Sequence, residues 1–130
     1  MTTPTQRSLA RLRKTHSLVE VVEKWNHVIK QRRDLFRFAD IIAVDGNEVL
    51  LVQTTSGANM SARINKLLVE PNVGLWLASG SRGLEVHGWR KTGAKGKRKL
   101  WSCRVAEIAM AEVDPGEWKP CVVSDGDLLK

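Results

Sequence analysis

The order of signals along the chain predicts an α/β fold: a mixed central sheet with an N-terminal helix, one crossover helix and an extra β-hairpin towards the C-terminal end. Three observations carry this. Two apolar runs, Phe36–Val44 and Glu48–Gln53, flank Asp45-Gly46-Asn47, a strong hairpin signal. A basic amphipathic stretch from about Ser61 to Glu70, stopped by Pro71-Asn72, separates that hairpin from another apolar run, Val73–Ala78. It supplies the crossover of a right-handed β-α-β unit. Two further strands then flank Thr92–Lys99, a glycine- and lysine-rich tip.

In chain order, Arg7–Lys14 places Leu9 and Leu12 on one helical face and Arg7, Arg11 and Lys14 on another. Thr3-Pro4 suits a cap followed by proline at the first helical position. The Val-rich segment Ser17–Trp25 reads as the first strand, with a helix continuing from Arg7 as the alternative. Residues 26–33 read as a polar, basic connection leading into Asp34. The two hairpin strands carry Ile41, Ile42, Val44 and Val49 to Val52 with almost no polar face, so they belong at the centre of the sheet. Val73–Ala78 is expected as a buried strand parallel to the Val49 strand. Leu84–Lys91 alternates as a half-exposed strand, with Leu100–Ile108 as its partner. A single domain over residues 1–110 is expected, followed by an irregular acidic tail, 111–130, that turns at Asp114-Pro115-Gly116.

The chain has 130 residues, 42% hydrophobic and 27% charged, within the range of one ordinary globular domain. No apolar run approaches the roughly 20 residues of a membrane span and no apolar leader stands at the N-terminus, so a soluble protein without membrane partners is expected. Cys103 and Cys121 have neither metal-ligand nor disulfide-framework spacing and read as free thiols in a reducing cytoplasm. The net charge is +7, with a pI of 9.9. Five acids and two bases fall in 111–130, which leaves 19 bases against 9 acids in the first 110 residues. A domain so basic, with its bases clustered, points to a polyphosphate partner.

Asp40 is the strongest candidate for chemistry. A carboxylate within FADIIAV either faces a cation or is buried at high desolvation cost, with Arg33 or Arg63 as alternative partners. Phe38 to Lys66 reads FADIIAVDGNEVLLVQTTSGANMSARINK, with RRDLFRFADIIAVDG overlapping it and GLWLASG, LEVHGWRK and GKRKLW after it. This string resembles the core of the PD-(D/E)XK nuclease superfamily, in particular small Holliday-junction-resolvase-like proteins of phages and bacteria. Ala39-Asp40 and Gln53-Thr54-Thr55 fall where its two half-motifs fall, with Gln53 and Thr55 at the places of the family's glutamate and lysine.

The resemblance implies a restriction-endonuclease-like core and a metal-dependent, structure-selective endonuclease that cleaves phosphodiester bonds in branched or duplex DNA. It implies Mg²⁺ or Mn²⁺ held by Asp40, Gln53 and the main-chain carbonyl of Thr54. Thr55 occupies the place of the catalytic lysine, and Arg63 or Lys66 on the following helix is available to supply that cation. Glu23, or else Glu20, would replace the family's N-terminal glutamate. A homodimer and the cytoplasm of a bacterial or phage-infected cell are further implications of the same resemblance.

Candidate DNA contacts form two sets: Lys30, Arg32, Arg33 and Arg37 before the site, and Arg90, Lys91, Lys95, Lys97, Arg98 and Lys99 around the last hairpin tip, with Arg63 on the helix. Trp89 and Trp101 flank that tip and are candidates to stack on unpaired bases, whereas Trp76 reads as core. His16, His27 and His87 share no ligand spacing. Three readings follow: an active endonuclease, a catalytically inactive nuclease-fold protein that binds DNA or acts as a subunit of a larger nucleoprotein assembly, and a basic scaffold in which Gln53 and Thr55 merely satisfy buried hydrogen bonds.

Overall fold

A six-stranded mixed sheet forms the body of the protein, in the order β1-β4-β5-β6-β7-β8. The structure is a computed structural model; it describes residues 2–93, 96 and 98–129, with the backbone alone for Leu128 and Leu129. The elements are α1 (Pro4–Leu12), β1 (Leu18–Val21), β2 (Lys24–Asn26), β3 (Gln31–Arg33), β4 (Ile41–Asp45) and β5 (Glu48–Ser56). After a short 3₁₀ turn come α2 (Met60–Leu68), α3 (Pro71–Leu77), β6 (Arg82–Thr92), β7 (Leu100–Asp114) and β8 (Glu117–Leu129). Among the described residues, only β5 and β6 pair in parallel, with Val49 opposite Arg82 and Ser56 opposite Trp89. β2 and β3 form a separate two-stranded hairpin. The α/β class and the mixed sheet expected from sequence are therefore present. Among the described residues, no helix is long and apolar enough to cross a membrane.

The central hairpin forms where its turn residues place it. Asp45 pairs with Glu48, and Gly46, at φ 61°, takes the position where a type II′ turn needs glycine. α1 begins with a capping box in which Thr3 and Gln6 satisfy each other's backbone amides, and Pro4 follows the cap.

Four expectations are corrected. Val73–Ala78 is not a strand: α3 occupies Pro71–Leu77, so the crossover holds two helices and the parallel partner of β5 is β6. Glu70 caps α3 by accepting from the Asn72 amide at 3.3 Å, and Pro71 starts it. Val73 and Leu77, one helical turn apart, are buried while Leu75 is 71% exposed, a helical rather than a strand pattern. A short apolar run alone does not separate the two.

Second, Ser17–Trp25 is broken at Val22-Glu23. β1 pairs with β4, whereas β2 leaves the sheet to pair with β3, so the segment expected as a connection is a hairpin. The Asn26 side chain forms its turn, accepting from the amides of Val28 at 2.9 Å and Ile29 at 3.3 Å. Third, the strand expected from Phe36 starts only at Ile41, because residues 35–39 form a tight turn closed by a Leu35–Ala39 bridge. Fourth, the irregular tail is ordered. Gly116, at φ 78°, turns the chain and β8 runs back along β7 as an edge strand. Its acids pair with cations: Asp125 with Arg104 at 2.6 Å, Asp127 with Arg90 at 2.6 Å and Glu117 with Lys119 at 3.1 Å.

The sheet is covered on both faces. Phe38, Leu51, Met60, Ile64, Val73, Leu84 and Val86 form the core beneath α2 and α3, and Leu12 packs on Ile41, Ala43 and Val52 beneath α1. This double cover buries β6, which sequence alternation had suggested was half exposed. Polar contacts also hold α1 to the sheet. Trp89 Nε1 donates to Ser8 Oγ at 2.8 Å, and Ser8 lies 2.8 Å from His87 Nδ1. His87 Nε2 lies 2.9 Å from Glu85. An ionised carboxylate only accepts, so Nε2–H donates to Glu85; in the neutral ring Nδ1 then accepts from the Ser8 hydroxyl, which itself accepts from the Trp89 indole.

Gly88 lies in β6 directly under Met60, and a Cβ there would run into the Met60 thioether. Gly88→Ala is expected to lower stability by about 1–3 kcal/mol, measured by urea unfolding. Met60→Ala should relieve part of that loss, making the double variant less destabilised than the sum of the singles. Strictly additive effects would contradict this packing.

Candidate functional site

Asp40 sits where three chain segments converge. Its amide donates to the Val52 carbonyl at 2.9 Å and its carbonyl accepts from the Val22 amide at 2.8 Å, which pins it between β5 and the end of β1. Glu23 follows Val22 and is brought in from that side. Asp34 ends the β3 segment, and the antiparallel Leu35–Ala39 bridge sets the two residues outside it, Asp34 and Asp40, side by side. Carboxylate oxygens of Glu23, Asp34 and Asp40 all lie within 4.8 Å of one another.

The Asp40 side chain is only 4% exposed, yet well satisfied. Its Oδ2 accepts from Gln53 Nε2 at 2.8 Å, the Thr54 amide at 2.9 Å and Thr54 Oγ1 at 3.0 Å. Thr54 Oγ1 in turn lies 2.9 Å from Thr5 Oγ1 of α1. Burial pushes the Asp40 carboxyl up to about 7, the Thr54 amide opposes the rise, and the neighbouring Asp34 carboxyl adds to it. Among the described residues no arginine or lysine pairs with Asp40, so the alternative partners Arg33 and Arg63 do not neutralise it.

These acids lie in a cleft of about 570 Å³ whose lining includes Glu23, Arg32, Arg33, Asp34, Arg37, Asp40, Gln53, Thr54 and Arg63. Four arginines thus face three acids. One pairing is made: Arg32 reaches Glu23 at 3.3 Å. Residues Asp40, Gln53, Thr54, Glu23, Arg32, Arg33, Arg37 and Arg63, singled out from sequence, are therefore gathered in one place. Lys66 instead lines a narrow adjoining recess with Asp34, Arg37, Gln53 and Arg63. Thr55 is buried in β5 and does not line the cleft.

The second basic set lies elsewhere. Arg90 is ion-paired with Asp127 on β8, and Lys91 lies 5.4 Å from the centre of the Trp101 ring. Arg98 and Lys99 are exposed, and Lys95 and Lys97 fall outside the described residues. Trp89 is buried against α1, so it does not stack on bases. The face of Trp101 is covered by the Arg7 guanidinium at 3.7 Å. Ser8, His87 and Glu85 have the composition of a hydrolase triad, but Ser8 is fully buried and serves as an anchor for α1.

Asp34 was not singled out as a ligand from sequence. Its signal was an acid six residues before Asp40, but only the turn at 35–39 makes the two neighbours. Three clustered carboxylates are hard oxygen donors of the kind that hold Mg²⁺, Mn²⁺ or Ca²⁺. Opposite ligands of such ions are separated by roughly twice 2.0–2.6 Å, so the 4.8 Å grouping fits one ion. Comparison with protein-family models, with curated proteins and with solved structures finds no match.

The Asp40 carboxyl makes stability depend on pH. Because its folded-state value lies above the 3.8 of a free aspartate, the folded protein keeps a proton that the unfolded chain releases between pH 3.8 and about 7. Stability contributed by this group falls as pH rises through that window and levels off above it. Asp40→Asn can retain all three incoming hydrogen bonds on its amide oxygen while its NH₂ faces Asp34. Without metal, it should be more stable than wild type at pH 8 by about 4 kcal/mol and nearly as stable as wild type at pH 4, as read from melting curves. Destabilisation at pH 8 would contradict this account of Asp40.

Proposed function

We propose that this chain is a metal-dependent endonuclease acting on branched or duplex DNA, with Glu23, Asp34 and Asp40 as its metal-binding carboxylates. The observation that carries the reading is the meeting of these acids at the base of an arginine-lined cleft. Arginine and carboxylate together suit a phosphodiester: Arg33, Arg37 and Arg63 hold the phosphate oxygens, in forked geometry where two donors reach. The acids bind a cation that the phosphate also needs. A bound Mg²⁺ or Mn²⁺ would supply Lewis-acid stabilisation of the charge that develops on phosphorus oxygens.

The chain's own residues do the remaining work. Gln53 and Thr54 orient Asp40 through the three bonds to Oδ2. Arg63 supplies positive charge near the transferred phosphate, with Lys66 entering from the adjoining recess. Asp34 provides the charge that Gln53 lacks relative to the resembling family's glutamate.

A second reading is favoured by Thr55, which lies out of the cleft where that family has its lysine, and by the Glu23–Arg32 pair. On that reading the cleft binds DNA without cutting it. Incubating the protein with branched and linear DNA, with Mg²⁺, Mn²⁺ or EDTA, separates the two. Metal-dependent cleavage should appear, and Asp34→Asn and Asp40→Asn should each lower it at least about 100-fold while binding persists. DNA binding without cleavage in any metal would favour the second reading. Cleavage unaffected by either substitution would overturn the assignment of the site.

A further inference from the structure

The β2–β3 hairpin stands apart from the main sheet and carries apolar side chains into solvent. Trp25 is 51% exposed, Val28 at its turn 90%, and Phe36, just beyond β3, 51%. These three line one groove of about 590 Å³, with Val22 and Leu35 among its other walls. Lys24, His27 and Arg33 also line it. Arg33 and Asp34 line both the groove and the acid cleft, so the two are neighbours.

The turn that builds the site also builds this groove. Phe36 and Arg37 both take left-handed backbone conformations, at φ 54° and 74°. Side chains other than glycine, asparagine or aspartate adopt this region reluctantly, and two in succession are rarer still. The result is that consecutive residues serve neighbouring sites: Phe36 lines the groove and Arg37 lines the cleft. The Phe36 ring is held from behind by Phe38 and Trp76, whose ring centres lie 6.4 and 6.3 Å away.

We infer that the groove between Trp25 and Phe36 receives an unpaired base of the DNA strand whose phosphate lies in the cleft. Aromatic faces stack on any base, and a cationic rim tracks the connected phosphates, which together form a single-strand recognition surface. Bases within an intact duplex are already stacked and do not reach an apolar groove beside the backbone. The groove therefore selects forks, flaps and branch points over uninterrupted duplex. Its rim argues for nucleic acid over a protein partner: Lys24 and Arg33 line it against a single acid, Asp34, and Arg37 lines the neighbouring cleft.

This inference rests on reading the cleft as a DNA site, and the test separates the two. Binding of a labelled fork with a single-stranded arm, and of a duplex of equal length, is measured by fluorescence anisotropy in Ca²⁺. The wild type should bind the fork at least 10-fold more tightly. Trp25→Ala/Phe36→Ala should lose that preference with duplex affinity within twofold of wild type, and Trp25→Phe/Phe36→Tyr should retain it. Circular dichroism and melting confirm that both variants fold. A wild type without preference, or a preference that survives the alanine variant, overturns the inference even if Mg²⁺-dependent cleavage is observed. A fork preference lost in the alanine variant upholds it even if nothing is cleaved. Self-association of the wild type abolished by the same variant, without a change in fork binding, overturns it in favour of a protein-contact groove.

Discussion

A carboxylate placed almost out of reach of water organises this protein. Asp40 Oδ2 accepts three hydrogen bonds from Gln53 and Thr54, and these bonds fix where β4 begins relative to β5. Even so, burial raises its proton affinity to near neutrality, which means the ionised form is disfavoured relative to a free aspartate. An apolar or amide side chain would avoid that cost. Only a positive charge brought to Asp40, Asp34 and Glu23 would offset that cost, which is the physical basis of the proposed cation site.

The fold supplies the supports. β5 presents Gln53 towards the α2 side of the sheet and Thr54 towards α1, so both faces contribute to holding a single oxygen. Thr54 is itself held by Thr5, and α1 is tied down farther along by Ser8, His87 and Trp89. The N-terminal helix therefore lacks an acid of its own but acts on the site indirectly, through a threonine pair. The β2–β3 hairpin and the 35–39 turn form the opposite wall. They carry Arg32, Arg33, Arg37 and two of the three acids, so the geometry of the cleft depends on a peripheral hairpin and a turn with two left-handed residues.

How far the chain could be read in advance follows from how local each signal is. The Asp45–Glu48 hairpin, the Thr3-Pro4 start of α1 and the α2 segment are written in adjacent residues, and all three are present. Asp40, Gln53 and Thr54 were legible because polar residues interrupt apolar strands there. Val73–Ala78 is ambiguous because six apolar residues satisfy either period, and the deciding features, Glu70 as cap and Pro71 as first residue, also read as the stop of the preceding helix. The pairing partner of β5 was displaced with it. Asp34 was missed because its role comes from a turn at Phe36-Arg37 that no glycine announces. β8 was hidden by its acids, whose arginine partners on β6 and β7 are distant in sequence.

The central claim, that Glu23, Asp34 and Asp40 act together as a cation site, is tested most directly by calorimetric titration of Mn²⁺ into the metal-free protein at pH 7, in two buffers of different ionisation enthalpy. A ligand carboxyl that is partly protonated at this pH must release its proton as the ion binds. The account predicts binding of one ion accompanied by net proton release, with both lost in Asp34→Asn. Absence of binding at millimolar Mn²⁺, or binding that Asp34→Asn leaves unchanged, would contradict it.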